Sequence, residues 1–367
     1  MSLPAEILNL IFDDCITDKA LVATWGLVSR QHLISSRFHV FATVALDDAN
    51  SHQFADLLDA PSCDIASLIQ ELTLSSRGPG SGSSWFSDVL PRLPPLPNVT
   101  TLRLGTSKWV LTERMRHLLH RKLRSVTHLE ICNFPFAHRA PAISFACGFV
   151  QLEELTFFPR IHNPEMEPPP KLVDIPPTLK SLVLRCSAGD EKSPNWFLSY
   201  LGRDSAPELT TLRVHEAGQP DFTLLARALG RLGPSLCDFS LDFSDAIVEE
   251  AFLRNYTLEK SIALRSIELT LGSSAMVDLA VTFLSTLASP VMEVLVLDIW
   301  VNPSKFARHQ WEALDTLIAN RNAAMKRVEL RVGALFTWAP MAANIRARMP
   351  ACVAWGLLYI FVDGEEC

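Results

Sequence analysis

The sequence predicts an α/β solenoid, with a parallel sheet on one side and helices on the other, preceded by a small bundle of three helices. Three observations carry this. A strand-length apolar pattern returns at a near-constant interval, amphipathic helical stretches fill several of the intervals, and Leu is in large excess at 54 of 367 residues. Stacked repeats use such an excess to fill one continuous core.

The N-terminal segment stands outside the repeat. Leu3-Pro4-Ala5-Glu6-Ile7-Leu8-Asn9-Leu10-Ile11-Phe12 reads as a short helix with Pro in its first turn, where the missing N–H costs nothing. Leu3, Ile7, Leu8, Ile11 and Phe12 fall on one face. Helices are also expected over Lys19–Val28 and from Arg30 to Val40. Three helices in some forty residues make a poor independent core, so much of their apolar surface calls for a partner.

The repeat is apolar, two residues, apolar, one residue, apolar. It runs Ile69-Leu72-Leu74, Val99-Leu102-Leu104, Val126-Leu129-Ile131, Leu152-Leu155-Phe157 and Leu179-Leu182-Leu184. It continues as Leu209-Leu212-Val214, Leu236-Phe239-Leu241, Leu264-Ile267-Leu269, Met292-Leu295-Leu297 and Met325-Val328-Leu330. Middle residues are spaced by 30, 27, 26, 27, 30, 27, 28, 28 and 33 positions, too regular for chance. Weaker copies extend the series at Phe41-Val44-Leu46 and Cys352-Trp355-Leu357. Each unit is a strand whose alternate residues point inward. Between strands, helices are expected at Thr112–Leu123, Phe222–Leu232 with Asp221 as N-cap, Met276–Leu287 and Lys305–Ala319. One strand and one helix cannot bury both apolar faces alone; stacked units can.

Composition narrows the function. A formal charge of −7 without a Lys/Arg-rich run argues against nucleic acid or an anionic membrane as partner. The longest nearly uncharged apolar stretch, Ala351 to Val362, has 12 residues, short of the roughly 20 a membrane span needs, and reads as a buried strand. The N-terminus carries Glu6, Asp13 and Asp14 without a basic region, unlike a signal peptide. Eight Cys without a C-x-x-C read as reduced thiols, which points to the cytoplasm or nucleus.

From about residue 41 to 360 the sequence resembles the leucine-rich-repeat family, in its longer form with a convex-side helix. The Asn or Cys that often follows the strand in that family is absent: the equivalent positions hold residues such as Arg77, Ser107, Phe134 and Arg160. The repeats are therefore irregular, about eleven in number. A Pro-rich insert at 159–177 interrupts them and reads as a rigid loop rather than a polyproline ligand. Gly78-Pro79-Gly80-Ser81-Gly82 lacks the Lys and the spacing of a phosphate loop.

The N-terminal segment resembles an F-box. The resemblance rests on Leu3-Pro4, Glu6-Ile7-Leu8, Ile11-Phe12, Ala20-Leu21 with Trp25, Leu27-Val28-Ser29-Arg30, and Arg37-Phe38 before Phe41 and Val44. The pairing with repeats is that of divergent, fungal-type F-box/leucine-rich-repeat proteins, with an F-box over 1–46 and a solenoid over 47–367. The resemblance implies a substrate receptor of an SCF ubiquitin ligase. Leu3, Pro4, Ile7, Leu8, Ile11, Leu27 and Val28 would bind the Skp adaptor, and through it a cullin and RING subunit. The competing readings are an N-terminal cap on the first repeat, and a protein-binding scaffold without ligase coupling.

Residues flanking each inward pair face the outer sheet surface. There Arg185, Arg213 and His215 form a basic strip beside the acidic Asp238, Asp242, Glu268 and Asp298, a bipolar surface suited to a protein segment. Phe158, Val294 and Val296 on the same face are apolar for solvent and suggest a cover or partner. No H-E-x-x-H, G-x-S-x-G or Walker lysine loop occurs, and neither catalysis nor a cofactor is expected. One zinc-like set, His117, His120, His128 and Cys132, is split by the expected sheet between helix and strand faces, so no metal site is expected either.

Overall fold

A computed structural model gives the fold. It describes Ile7, Leu10 and residues 18–28, 30–61, 63–76, 85–106, 110–162, 174–185, 192–203, 206–217, 222–243, 256–271, 276–300, 311–321, 324–333, 339–362 and 365–366. The chain divides into two compact units, Met1–Thr178 and Leu179–Cys367.

In the first unit, Asp18 caps helix α1 (Lys19–Gly26) by accepting the Leu21 N–H at 2.9 Å. Helix α2 (Arg30–Phe41) packs on it through Val22, Trp25 and Val40. Close approach is possible because Gly26 sits against Ser36, whose hydroxyl donates to the Val22 carbonyl at 2.6 Å. Of the first expected helix, Ile7 and Leu10 are described, and both are helical.

Five parallel strands follow in sequential order: β1 (Thr43–Leu46), β2 (Glu71–Leu74), β3 (Thr101–Leu104), β4 (His128–Phe136) and β5 (Glu154–Ile161). Helices α3 (Ser51–Leu58), α4 (Trp85–Arg92), α5 (Glu113–Lys122) and α6 (Arg139–Cys147) alternate with β1 to β5. The register aligns Val44, Leu72, Leu102, Leu129 and Leu155 strand by strand, with Leu46, Leu74, Leu104, Ile131 and Phe157 one step on. All ten are buried. The weak copy at Phe41-Val44-Leu46 is thus a true repeat strand, and Thr112, expected as the first helical residue, instead caps α5 by accepting the Met115 N–H.

Among the described strands β1 stands at the sheet's edge. The Asn50 carboxamide covers part of that edge: Nδ2 donates to the Ala45 carbonyl at 2.8 Å and Oδ1 accepts the Asp47 N–H at 3.0 Å. A side chain here completes backbone pairing that another strand would otherwise take.

In the second unit, β6 (Ser181–Arg185), β7 (Thr211–Ala217), β8 (Asp238–Phe243), β9 (Ser266–Leu271), β10 (Val294–Trp300), β11 (Arg327–Gly333) and β12 (Leu358–Val362) are parallel and sequential. The short β13 (Glu365–Glu366) adds antiparallel to β12. Helices α7 (Lys192–Leu201), α8 (Phe222–Leu232), α9 (Met276–Ser285), α10 (Trp311–Arg321), α11 (Ala339–Arg348) and α12 (Pro350–Ala354) lie between strands. The span of α8 is the expected one, while its expected cap Asp221 lies outside the described residues. Helix α9 ends two residues earlier than expected, where the Thr286 hydroxyl accepts the Leu258 N–H at 2.8 Å. Residues 305–310 of the expected Lys305–Ala319 helix lie outside the described set, and α10 runs on to Arg321.

Two expectations fail at the C-terminal end. Ala351 to Val362 is not one buried strand, because Ala351 to Ala354 are helical. Nor does Cys352-Trp355-Leu357 form the last repeat strand: Trp355 is 54% exposed, and Leu358 pairs with Val328. Pro350 favours a helix start, and the buried Asp315 carboxylate fixes it by accepting the Ala351 and Cys352 N–H groups at 3.0 and 2.8 Å. Gly356, at φ 65°, then turns the chain into β12.

The missing post-strand Asn has a counterpart before the strands. Asn98 Nδ2 donates to the Ser67 carbonyl at 2.6 Å, Thr178 to Leu152 at 2.7 Å, Ser235 to Leu209 at 3.2 Å and Ser289 to Leu264 at 2.6 Å. Each bond joins a side chain to the preceding repeat's loop and satisfies a carbonyl that a strand or helix leaves open. No helix among the described residues is long and apolar enough to cross a membrane.

Candidate functional site

Two surfaces merit attention, one apolar and one charged. Among the described residues of the N-terminal segment, few apolar side chains turn inward and several face out. Leu27 is 85% exposed, Val28 70% and Ile34 75%, with Ile7, Leu10, Leu21, Leu33 and Phe38 also exposed. Ile7, Leu27 and Val28, expected on this surface, are therefore solvent-facing. Leu3, Pro4, Leu8 and Ile11 lie outside the described residues. On α2, Phe38 belongs to the F-box resemblance, whereas Leu33 and Ile34 do not enter it. The four-residue spacing of Ile34 and Phe38 is the signal that would have found Ile34.

The outer sheet face of the first unit is charged but self-paired. The Arg103 guanidinium bridges Glu71 on β2 and Glu130 on β4, the latter at 3.1 Å. His128 Nε2 lies 3.3 Å from Glu154 on β5, and the Cys132 thiol donates to Glu130 at 3.2 Å. Arg103 thus faces opposite charges on both neighbouring strands.

In the second unit the face changes along the sheet. Arg185 and Arg213 are exposed, and the register sets Arg185 beside His215 and Arg213 beside Val183. Neither arginine makes an ion pair or hydrogen bond among the described residues. Asp238 on β8 lies next to Thr211, whose hydroxyl approaches its carboxylate at 3.5 Å, and Asp242 lies next to Thr270.

Further along, the charges are engaged. Arg331 donates to Glu268 at 2.7 Å and to Glu329 at 2.6 Å, and Arg327 lies 2.7 Å from Glu329. To reach Glu268 on β9 from β11, the Arg331 side chain crosses β10, where Val296 is buried and Val294 half-buried. Val296 thus has its cover within the chain. Phe158 is half-buried. Arg327 also stacks on Tyr359 and Phe361, at 4.9 and 5.9 Å from their ring centres. Burial raises the Asp298 carboxyl above the usual carboxylate range, against the pull of Arg331 beside it.

Scanned against models of known protein families and against curated protein sequences, the chain matches none.

The zinc-like set is dispersed. His120 is part-buried under the helices, stacked on Phe145 and edge-on to Phe149, with Nε2 2.9 Å from the Phe145 carbonyl. Burial lowers its pKa, chiefly by disfavouring the imidazolium. His117 is exposed near Glu113, while His128 and Cys132 lie on the outer sheet face. Among the described residues no three His, Cys, Asp or Glu converge as metal ligands. The buried Cys147 and Cys352 thiols are pushed up to about 12 by desolvation, so neither is a ready nucleophile.

Proposed function

We propose that this chain is the substrate receptor of an SCF-type ubiquitin ligase, its N-terminal helices binding a Skp adaptor and its repeats capturing a protein target. The observation that carries the proposal is the solvent-facing apolar surface of Leu27, Val28 and Ile34, in and beside helices whose core, among the described residues, is Val22 with Trp25 and Val40 packed on it. An N-terminal cap would turn its apolar residues onto the first repeat, and these point to solvent instead. Apolar surface of this kind on a small segment calls for a partner. The order of Leu, Pro, Ile and Val residues resembles an F-box, which is why a Skp adaptor is the partner proposed. The receptor needs no catalytic side chain, because transfer chemistry belongs to other subunits of such a ligase. The repeats supply a stacked, register-fixed sheet face on which side chains two residues apart all look outward.

The test is capture of purified Skp adaptor by the full chain and by a Leu27→Asp/Val28→Asp/Ile34→Asp variant. All three positions are exposed, so the variant is expected to keep the parent's melting temperature and to lose the adaptor. Absence of capture by the parent chain, or equal capture by both, would return the protein to a scaffold without ligase coupling.

A further inference from the structure

We infer that Arg185 and Arg213 form a reader for an extended protein segment bearing carboxylates two residues apart. This rests on the proposed role of the outer sheet face as the capture surface, and it names the chemistry of what is captured.

The outward-facing arginines of the second unit divide into two kinds. Arg327 and Arg331 are bound by Glu268 and Glu329 and are further held by aromatic stacking or by crossing a strand. Arg185 and Arg213 are exposed and, among the described residues, unpaired. An unpaired guanidinium keeps its five donors for a planar anion, and carboxylates meet them two at a time.

Geometry narrows the ligand further. Arg213 pairs in register with Val183, so Arg185 lies one strand over and two residues along. With strands about 4.8 Å apart and a rise of about 3.3 Å per residue, such diagonal neighbours stand about 8 Å apart. In an extended segment, side chains two residues apart leave on the same side and are separated by about 6.6 Å, twice the rise of about 3.3 Å per residue. The two spacings match to within the reach of an arginine side chain. Half-buried Val183 provides the floor between them, and His215 adjoins Arg185.

The surroundings set limits. Asp238 and Asp242 on β8 flank Arg213 diagonally and repel an acidic ligand from that side. The segment therefore lies over β6 and β7. The whole chain carries −7, so a net attraction for an acidic segment must come from this local pair and not from the overall field.

The experiment is fluorescence anisotropy of the full chain with labelled peptides at low and high salt. The peptides are (Asp-Gly)6, (Lys-Gly)6 and the equally charged (Asp-Asp-Gly-Gly)3, which breaks the alternation. Saturable binding of (Asp-Gly)6 is expected, weaker for the other two and weaker as salt rises. Arg185→Ala and Arg213→Ala should each weaken it about tenfold, the loss of a charge-assisted contact, whereas Asp242→Asn should tighten it. The helix-face variant Arg121→Ala should change nothing. Absence of saturable binding, equal binding of the lysine peptide, or unchanged binding by the Arg185→Ala/Arg213→Ala double variant overturns the inference. Adaptor capture in the same preparation separates the two claims. Capture retained while the acidic peptide fails overturns the reader alone; peptide binding without adaptor capture supports the reader and overturns the ligase role.

Discussion

The N-terminal helices and the repeats use apolar residues in opposite ways. In the repeats, Leu72, Leu102 and Leu129 are buried in an aligned row of the first unit, and Leu182 and Leu212 in an aligned row of the second. In the turn after α1 and on α2, Leu27, Val28 and Ile34 are as apolar, but among the described residues nothing stacks on them and they stay in water. The same side chain is thus a core element where a repeat stacks on it and solvent-facing where none does. Hydropathy alone does not distinguish the two; the number of packed layers around the residue does.

The sharpest way to break this contrast is to truncate on both sides of it. Leu212→Ala should cost about 2–5 kcal/mol, since it opens a cavity in a row that has no room to relax. Leu27→Ala and Ile34→Ala should each stay within about 0.5 kcal/mol, as exposed substitutions do. Denaturant titration of the three variants checks both figures, and comparable losses would place α1 inside a core.

In the first unit, a β-carbon added at the exposed Gly148 would come within 2.4 Å of the half-buried His120 ring. Gly148→Ala should therefore cost about 1–3 kcal/mol through overpacking, read from its melting temperature. The same imidazole gives the core a pH response. Its pKa is lowered in the folded chain, chiefly by burial, so the unfolded chain binds the proton more readily. The stability it contributes is complete above its unfolded value of about 6.5 and is lost as pH falls through that value toward the lower folded one. Melting curves from pH 8 to pH 5 should show this decline in the parent and less of it in His120→Leu.

Smaller effects belong to the edge and the face. Asn50→Ala removes two bonds to the β1 backbone and should cost about 1 kcal/mol. It should also promote self-association with rising concentration, visible by light scattering, because the strand edge is opened. Arg103→Ala on the exposed ladder should cost no more than about 1 kcal/mol, and less in high salt.

Much of the fold was legible in the sequence. Within each unit the apolar triplets correspond to strands in register, and Phe222–Leu232 is a helix with the expected bounds. The last strand was misplaced by its own neighbourhood. Cys352, Trp355 and Leu357 satisfy the spacing, yet Pro350 and the Asp315 carboxylate, 36 residues before Ala351, turn the first part into helix. The absent post-strand Asn was legible; the compensating Asn98, Thr178, Ser235 and Ser289 bonds were not, since single hydroxyls and amides before a strand carry no period. On the candidate surface, the residue types and their outward parity were readable. That Glu268 is held by Arg331 while Arg185 stays open was not.

Local chemistry fixed the inward residues, because alternation along a strand is a property of the backbone itself and needs no partner to be stated. It likewise fixed the period of the units, because each strand and helix must find the next to bury its second face. Which charges cancel, which apolar residues remain in water and where the final strand begins were settled by packing. Arg331 meets Glu268 across 63 residues of chain, and no window of sequence holds both groups. Contacts of that kind exist only once the register between strands is set, and the register is a product of the assembled core.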